Sequence, residues 1–436
     1  MSEHESHATA QLFAKSEVAL ARLEDSSSQT EPLAFFVPGR IEVLGKHTDY
    51  AGGRSLLCAI DRGFAVLAQR RDDARIRIVD AVRGDARELA LIESDHAQDG
   101  DWSAYVATVA RRLARDFPSV RRGINLSFAS NLPPASGMSS SSALVIASFL
   151  ALHAANALGD DRLYQSVIRS REELAEYLGA VENGRVFGPL AGDRGVGTLG
   201  GSQDQTAILC CRSEVLSRYA FCPVRAEGEV AFPATHAFVV AYSGVAAEKT
   251  AAAKLRYNEA SLATVRILEH WNRASNSSFT SIGDAVAAAH DAADQIRAVL
   301  RESHSEEFTS QRLLDRFDQF VVESFEIIPR AASALASGDL QAFGTLVDLS
   351  HRNAETLLGN QIPETMALQR SARALGADAA SAFGAGFGGS VWAMTTRAEA
   401  ERFATEWSAS YRREFPTAAA RSEFIVAVPG QGAVQL

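Results

Sequence analysis

Apolar residues recur at helical spacing over residues 8–24, which predicts an N-terminal helix, and "EDSSSQTEP" then reads as a loop. "LAFFVPGRIEVLG" reads as a strand bent early at Pro38-Gly39, and "FAVLAQRR" and "ARIRIVDAV" as a strand pair. "DWSAYVATVARRLARDF" is an amphipathic helix, "GINLSFAS" a strand, and "SALVIASFLALHAANAL" a long, mostly apolar helix. "YQSVIRSREELAEYLGAVEN" reads as one further helix. "THAFVVAYSGV" begins a new strand, followed by helices over roughly 247–273, 281–301, 310–336, 339–357 and 362–375. The chain closes with "GAGFGGSVWAM", a helix from about 397 and a strand "SEFIVAV". Strand pairs followed by helix runs fit an α+β fold better than a doubly wound parallel sheet. The boundary between two halves falls near residues 226–232, dividing the chain into 1–228 and 229–436.

Composition narrows the function classes. The chain has 436 residues, 47% hydrophobic and 22% charged, which is ordinary globular composition with room for two domains. A net charge of -10 argues against nucleic acid or an anionic membrane as partner. Cys58, Cys210, Cys211 and Cys222 lack C-x-x-C spacing and sit in apolar or strand-like contexts. They read as buried free thiols of a cytoplasmic protein, and nothing suggests zinc. "MSEHESHATAQLF" is too polar for a signal peptide, and no apolar run reaches the roughly 18 residues of a membrane span.

Three glycine- or serine-rich stations carry the chemistry. In "PGRIEVLGKHTDYAGG", five residues separate Gly39 from Gly45, and His47 follows Lys46. A phosphate-binding P-loop needs four residues there and a Ser or Thr after the lysine, so this is not one. In "LPPASGMSSSSAL", prolines stiffen the approach, Gly137 turns the chain, and four serines open a helix. The first amides of a helix lack backbone partners and carry partial positive charge, so Gly137, Ser139, Ser140 and Ser141 can form a phosphate cradle. A Ser-capped helix is the plainer reading, although one serine suffices for a cap. In "FGAGFGGS", Gly384, Gly386 and Gly389 fit G-x-G-x-x-G. A dinucleotide fold puts that motif after a strand and before a helix, whereas here a helix is expected before it and a strand after. The alternatives are a loop closing over a ligand and a tight connection.

Together, "PGR…GKHTDYAGG", "LPPASGMSSSSA" and "GAGFGGS" resemble, in this order, the GHMP sugar kinases and, within them, the galactokinases. "DWSAYV", "YSGV…KLRYNEA", "SGDLQAFGTLVDLSH" and "VPGQGA" extend the likeness over most of the chain. The resemblance implies a two-domain fold, with an N-terminal mixed sheet and helices, a C-terminal α/β sandwich, and the active site between them. It implies transfer of the γ-phosphoryl of ATP to the anomeric hydroxyl of a sugar, galactose by default, by a cytoplasmic monomer or weak homo-oligomer. Such transfer depends on positioning and charge neutralisation. By resemblance, Asp204 in "GGSQDQTAIL" is the catalytic aspartate, a weak base or an orienter beside Arg40, which holds charge on the transferring group. The resemblance gives Mg²⁺ to Ser141 (or Ser140) and Glu182, and the adenine side to Trp102. It gives sugar contacts to Lys46, His47, Asp49, Tyr50, Gly201 and Tyr257.

The chain departs from the galactokinase pattern at Glu42, where those proteins carry Asn, and at Lys46, where they carry a Glu near the sugar's hydroxymethyl end. Lys46 has three readings: partner of a uronic acid carboxylate, donor to a neutral sugar, or salt-bridge partner of Glu42. Residues 184–202, seven of them glycine, form an insertion that can reshape the sugar pocket or act as a lid. The Arg-Met-Thr usual before the last glycine loop is missing from "AASAFGAGFGG". Alternatives to a galactose kinase are therefore a kinase for a uronic or otherwise modified sugar, and a non-catalytic sugar sensor.

Overall fold

The computed structural model describes residues 3–23, 25, 31–91, 101–133, 136–246, 251–304 and 306–436. Most of the expected loop 24–32, Pro134 in the serine motif, and the expected helical start at 247–250 lie outside the described residues. The first sheet is built on two long antiparallel strands, β1 (Leu33–Leu44) and β2 (Arg54–Arg70). Beyond them lie β3 (Arg75–Asp80), β4 (Ala86–Ala90) and β5 (Ile124–Ser130), with β3 and β5 parallel. A second branch leaves β2 through β6 (Val215–Ala220) and β7 (Arg225–Ala231), two strands that the hydrophobic pattern does not announce. The second sheet holds β8 (His236–Tyr242), β9 (Ala379–Phe383), β10 (Ser390–Thr396) and β11 (Glu423–Ala427) in the order β11-β8-β10-β9. The chain then returns to the first sheet, where β12 (Pro429–Gly430) pairs with β2 and β13 (Val434–Gln435) with β1.

Side chains alternate across a strand, so a strand apolar at every position is buried on both faces. On β8, Phe238 and Val240 join the core that runs through both halves, while Ala237, Val239 and Ala241 pack towards Trp407 and Tyr411 of the helix Ala400–Glu414. The second sheet is therefore the middle layer of a helix–sheet–helix sandwich. The mixed architecture is α+β. Among the described residues, no helix is long and apolar enough to cross a membrane.

Several expected elements differ. The first helix spans Glu3–Ala21 rather than 8–24. The single helix expected through "YQSVIRSREELAEYLGAVEN" is two, Arg162–Val167 and Arg171–Asn183. Ser170 starts the second by accepting the Glu173 amide at its hydroxyl, so a cap interrupts what periodicity alone joins. The segment after Gly201 is a helix, Gln203–Cys210, which the hydrophobic pattern does not announce. "GAGFGGS" lies between strands β9 and β10: the helix expected before it is present as Pro363–Ala374, but β9 comes between that helix and the glycines.

Candidate active site

The three stations meet around one cavity, open to solvent, with about 80 Å³ of enclosed space. Its walls include Arg40, Glu42, His47, Asp49, Tyr50, Glu182, Gly201, Asp204, Tyr257 and Gly384. Arg40 and Glu42 lie two residues apart on β1 and so share a face, with register shifts on either side of the segment. His47, Ser139 and Phe387, one in each station, have φ of 57°, 60° and 57°. Non-glycine residues adopt this left-handed region at a cost, and such residues cluster in loops held for function.

Arg40 ties the first station to the serine loop and to Asp204. Its Nε and Nη2 both approach Asp204 Oδ1 at 2.8 Å, and its Nη1 donates to the Gly137 carbonyl at 2.6 Å. Ser139 stands at the N-cap of the helix Ser140–Ala155 but makes no side-chain cap bond, and its hydroxyl instead donates to Asp204 Oδ2 at 2.5 Å. Ser139 is thus not a side-chain cap of this helix, contrary to the plainer reading. Ser142 donates to Glu182 Oε2 at 2.9 Å, and Gln205 Nε2 donates to the same oxygen at 2.5 Å. Ser141 and Ser142 both line the cavity. The glycine loop closes on the serine loop through Ser390 Oγ, which donates to the Ser136 carbonyl at 2.5 Å. Trp102 is not among the lining residues. Its ring packs edge-on to Phe128 with Arg87 over it, while Tyr105, one helical turn on, reaches the cavity.

The first station itself is held by a directional chain of hydrogen bonds. The Ala385 carbonyl can only accept, so His47 carries its proton on Nε2 (2.9 Å), and Nδ1 accepts from Tyr50 at 2.8 Å. Arg316 donates to the Tyr50 hydroxyl at 3.3 Å and to the His47 carbonyl. Burial, with Arg316, Arg312 and Lys46 adding to it, pushes His47 down to about 4 against the Ala385 bond, so the ring is neutral near pH 7. Burial raises Tyr50 to about 12 and raises Asp49, whose Oδ2 accepts the Gln203 amide at 3.0 Å. A Cβ on Gly201 would stand 2.3 Å from Asp49 Oδ2, so only glycine lets these two segments meet. The insertion 184–202 is a cavity wall. Thr198 and Gly200 line it, and Asn258 and Ser261 of the helix Ala251–Ser275 hold Leu199 and Gly197.

Lys46 points elsewhere. It is 1% exposed, is not among the lining residues, and donates from Nζ to Ser350 Oγ at 3.1 Å. Ser350 donates to Glu323 Oε1 (2.9 Å), which also takes the Gly45 amide at 2.7 Å. Among the described residues no ion pair joins Lys46 to Glu42 within 4.0 Å, so the direct bridge is not formed. Glu42, Tyr105, Ser142, Gln203 and Gln205 are lining residues to which sequence reasoning assigned no ligand role. The fourth serine and the two glutamines beside Asp204 were visible as sequence, but only helical phase shows which of them face inward.

Residues 104–210 match the GHMP kinases N terminal domain and residues 331–413 the GHMP kinases C terminal region, while residues 24–70 match the galactokinase galactose-binding signature. The chain belongs to the GHMP kinases, in their galactokinase-like branch. This GHMP kinase is 27% identical to a galactokinase of Lactobacillus helveticus over 407 residues, 91% of this chain and 94% of the relative. It is 29% identical to a galactokinase of Roseiflexus sp. (strain RS-1), covering 86% of each. A solved Lactococcus lactis galactokinase complexed with galactose superposes with a TM-score of 0.77 at 24% identity, covering 97% of this chain and 99% of that one, a likeness of fold. The three stations thus fall inside matched regions, and they are the segments that meet at the cavity.

Proposed function

We propose that this protein transfers the γ-phosphoryl group of ATP to the anomeric hydroxyl of galactose. The observation that carries the reading is the Arg40–Asp204–Ser139 cluster, seated in one cavity with Glu182, the serine helix and the glycine loop. In the proposed role, Asp204 faces the sugar hydroxyl. Oδ1 is held by Arg40 and Oδ2 by Ser139, so the carboxylate's chief work is to orient that hydroxyl, with proton acceptance secondary. Arg40 holds charge as it spreads over the transferring group. The serine-helix amides and the glycine loop cradle the phosphates. Asp49, His47, Tyr50, Tyr257 and the Gly201 backbone frame the sugar, and Tyr105 the nucleotide base, since Trp102 lies outside the cavity lining.

Glu182 with Ser142 or Ser141 would hold Mg²⁺, which is usually bound through one or two carboxylates plus substrate phosphates. One carboxylate beside hydroxyls fits that habit, and among the described residues no group of three or more His, Cys, Asp or Glu forms a self-sufficient cage. The ion supplies neutralisation of phosphate charge. The uronic-acid alternative rested on Lys46, whose ammonium group is committed to Ser350. The sensor alternative has no support in a site that retains Arg40, Glu182 and Asp204. A kinase drawing on ATP belongs in the cytoplasm, which we propose as its place.

ADP release should be followed with galactose, galacturonate, glucuronate, arabinose and N-acetylgalactosamine. Turnover with galactose, giving a sugar 1-phosphate by ³¹P NMR, is the expected result. ADP release with none of them would overturn the reading.

A further inference from the structure

Glu42 is 2% exposed and lines the cavity between Arg40 and His47. Its Oε2 accepts from Gln203 Nε2 at 2.7 Å, and the Gln203 amide is itself fixed by Ser55 at 2.6 Å. Its Oε1 has no hydrogen-bond partner. A buried carboxylate oxygen left without a donor is costly, and in a cavity wall it calls for a donor from the ligand. Lys46, the residue where the related pattern places a sugar-facing carboxylate, is turned onto Ser350 and Glu323.

We infer that Glu42 is a specificity-determining residue of the sugar site, whose free Oε1 accepts a hydrogen bond from one sugar hydroxyl. The inference rests on the sugar-kinase reading. Burial raises Glu42 to about 7, against the pull of Lys46, Arg40 and Gln203 and with a push from Asp204, so the carboxylate is paired too weakly by the protein alone. A hydroxyl donor supplies what is missing. A uronate in this position would meet a second carboxylate and be repelled.

The test compares wild type with Glu42→Gln on galactose and on its 2-, 3-, 4- and 6-deoxy analogues. With galactose, Glu42→Gln is expected to raise KM about ten- to hundredfold with kcat within about threefold, the size of a charge-assisted hydrogen bond. One deoxy sugar should be poor on wild type and lose less than about twofold more on the variant, because the bond is already gone. Losses that multiply for every sugar, or an unchanged KM, would overturn the inference. Should Glu42→Gln fail to fold, galactose binding by calorimetry on Glu42→Asn answers the same question, with weakened binding expected and unchanged affinity overturning it. Wild-type turnover of galactose serves as the control: its absence would sink the kinase reading, whereas its presence with an unaffected variant would sink only this proposal.

Discussion

Arg40 holds Asp204 through two nitrogens and the Gly137 carbonyl through a third, so its planar fork fixes the distance between this carboxylate and the serine loop. Arg40→Lys keeps the charge and loses the fork. Steady-state kinetics should show kcat reduced about 10²- to 10³-fold with KM for ATP little changed, whereas a loss confined to KM would contradict the role. Glu42 yields a pH prediction. Its carboxyl is raised from 4.5 to about 7, so between those values the folded chain holds a proton that the unfolded chain has lost. Stability from this group is therefore present at low pH and declines as pH rises through 7. Relative to wild type, Glu42→Gln should gain on the order of 2 kcal/mol at pH 8 and little at pH 4.5, read from urea unfolding at the two pH values. The stabler variant should be the poorer sugar binder, a trade-off common at functional sites. At this scale the sequence was legible where a residue sits inside a motif, as Arg40, Asp49, Glu182 and Asp204 do. It was silent on direction: nothing local says that Glu42 faces the cavity and Lys46 does not, because that is settled by strand phase and by Ser350, some three hundred positions away.

The helix Ser310–Val321 and the π-helical turn Val322–Ile327 after it brace the loop that carries Lys46, His47 and Tyr50. Arg316 reaches His47 and Tyr50, Gln319 donates to the Lys46 carbonyl at 3.1 Å, and Glu323 takes the Gly45 amide. A π-turn widens the helix locally, and such turns recur at functional sites. Periodicity reads 310–336 as one helix because apolar spacing continues through the turn, so the interruption leaves no mark in the pattern. Ser350→Ala removes the acceptor of Lys46 and a donor to Glu323. Urea unfolding should show a loss of about 1–3 kcal/mol, the cost of a buried charged group losing a partner. Because the loop also lines the cavity through His47 and Tyr50, the proposed sugar contacts, KM for galactose should rise while KM for ATP holds. An equal rise in both would show that the damage is general and would count against the bracing role.

At the scale of the whole molecule, the C-terminal segment returns to one element of the site. After β11 the chain leaves the second sheet, pairs β12 with β2, and brings Gly432 N to the Cys211 carbonyl at 2.9 Å and Ala433 N to the Ile208 carbonyl at 2.7 Å. Those carbonyls end the helix Gln203–Cys210, whose first turn carries Gln203, Asp204 and Gln205. The last four carbonyls of a helix lack partners within it, and here the returning strand supplies donors for two of them. The general architecture was legible because its motifs and periodic helices are local, whereas this closure joins residues more than two hundred positions apart and has no local signature. Gly432 makes the contact testable by a single atom. A Cβ there would lie 2.8 to 3.1 Å from the Leu209, Cys211 and Ile208 carbonyls, so Gly432→Ala must push the helix end or the strand aside. Asp204 opens that short helix and is held to Arg40 at 2.8 Å, so a displacement transmitted along its axis would spoil the alignment on which phosphoryl transfer depends. We expect Gly432→Ala to lower kcat about tenfold or more with a loss of roughly 1–3 kcal/mol in stability, and a chain ending at Val428 to lose activity outright. Wild-type kcat in the alanine variant, measured with its unfolding midpoint lowered, would show that the returning strand stabilises the fold without positioning Asp204.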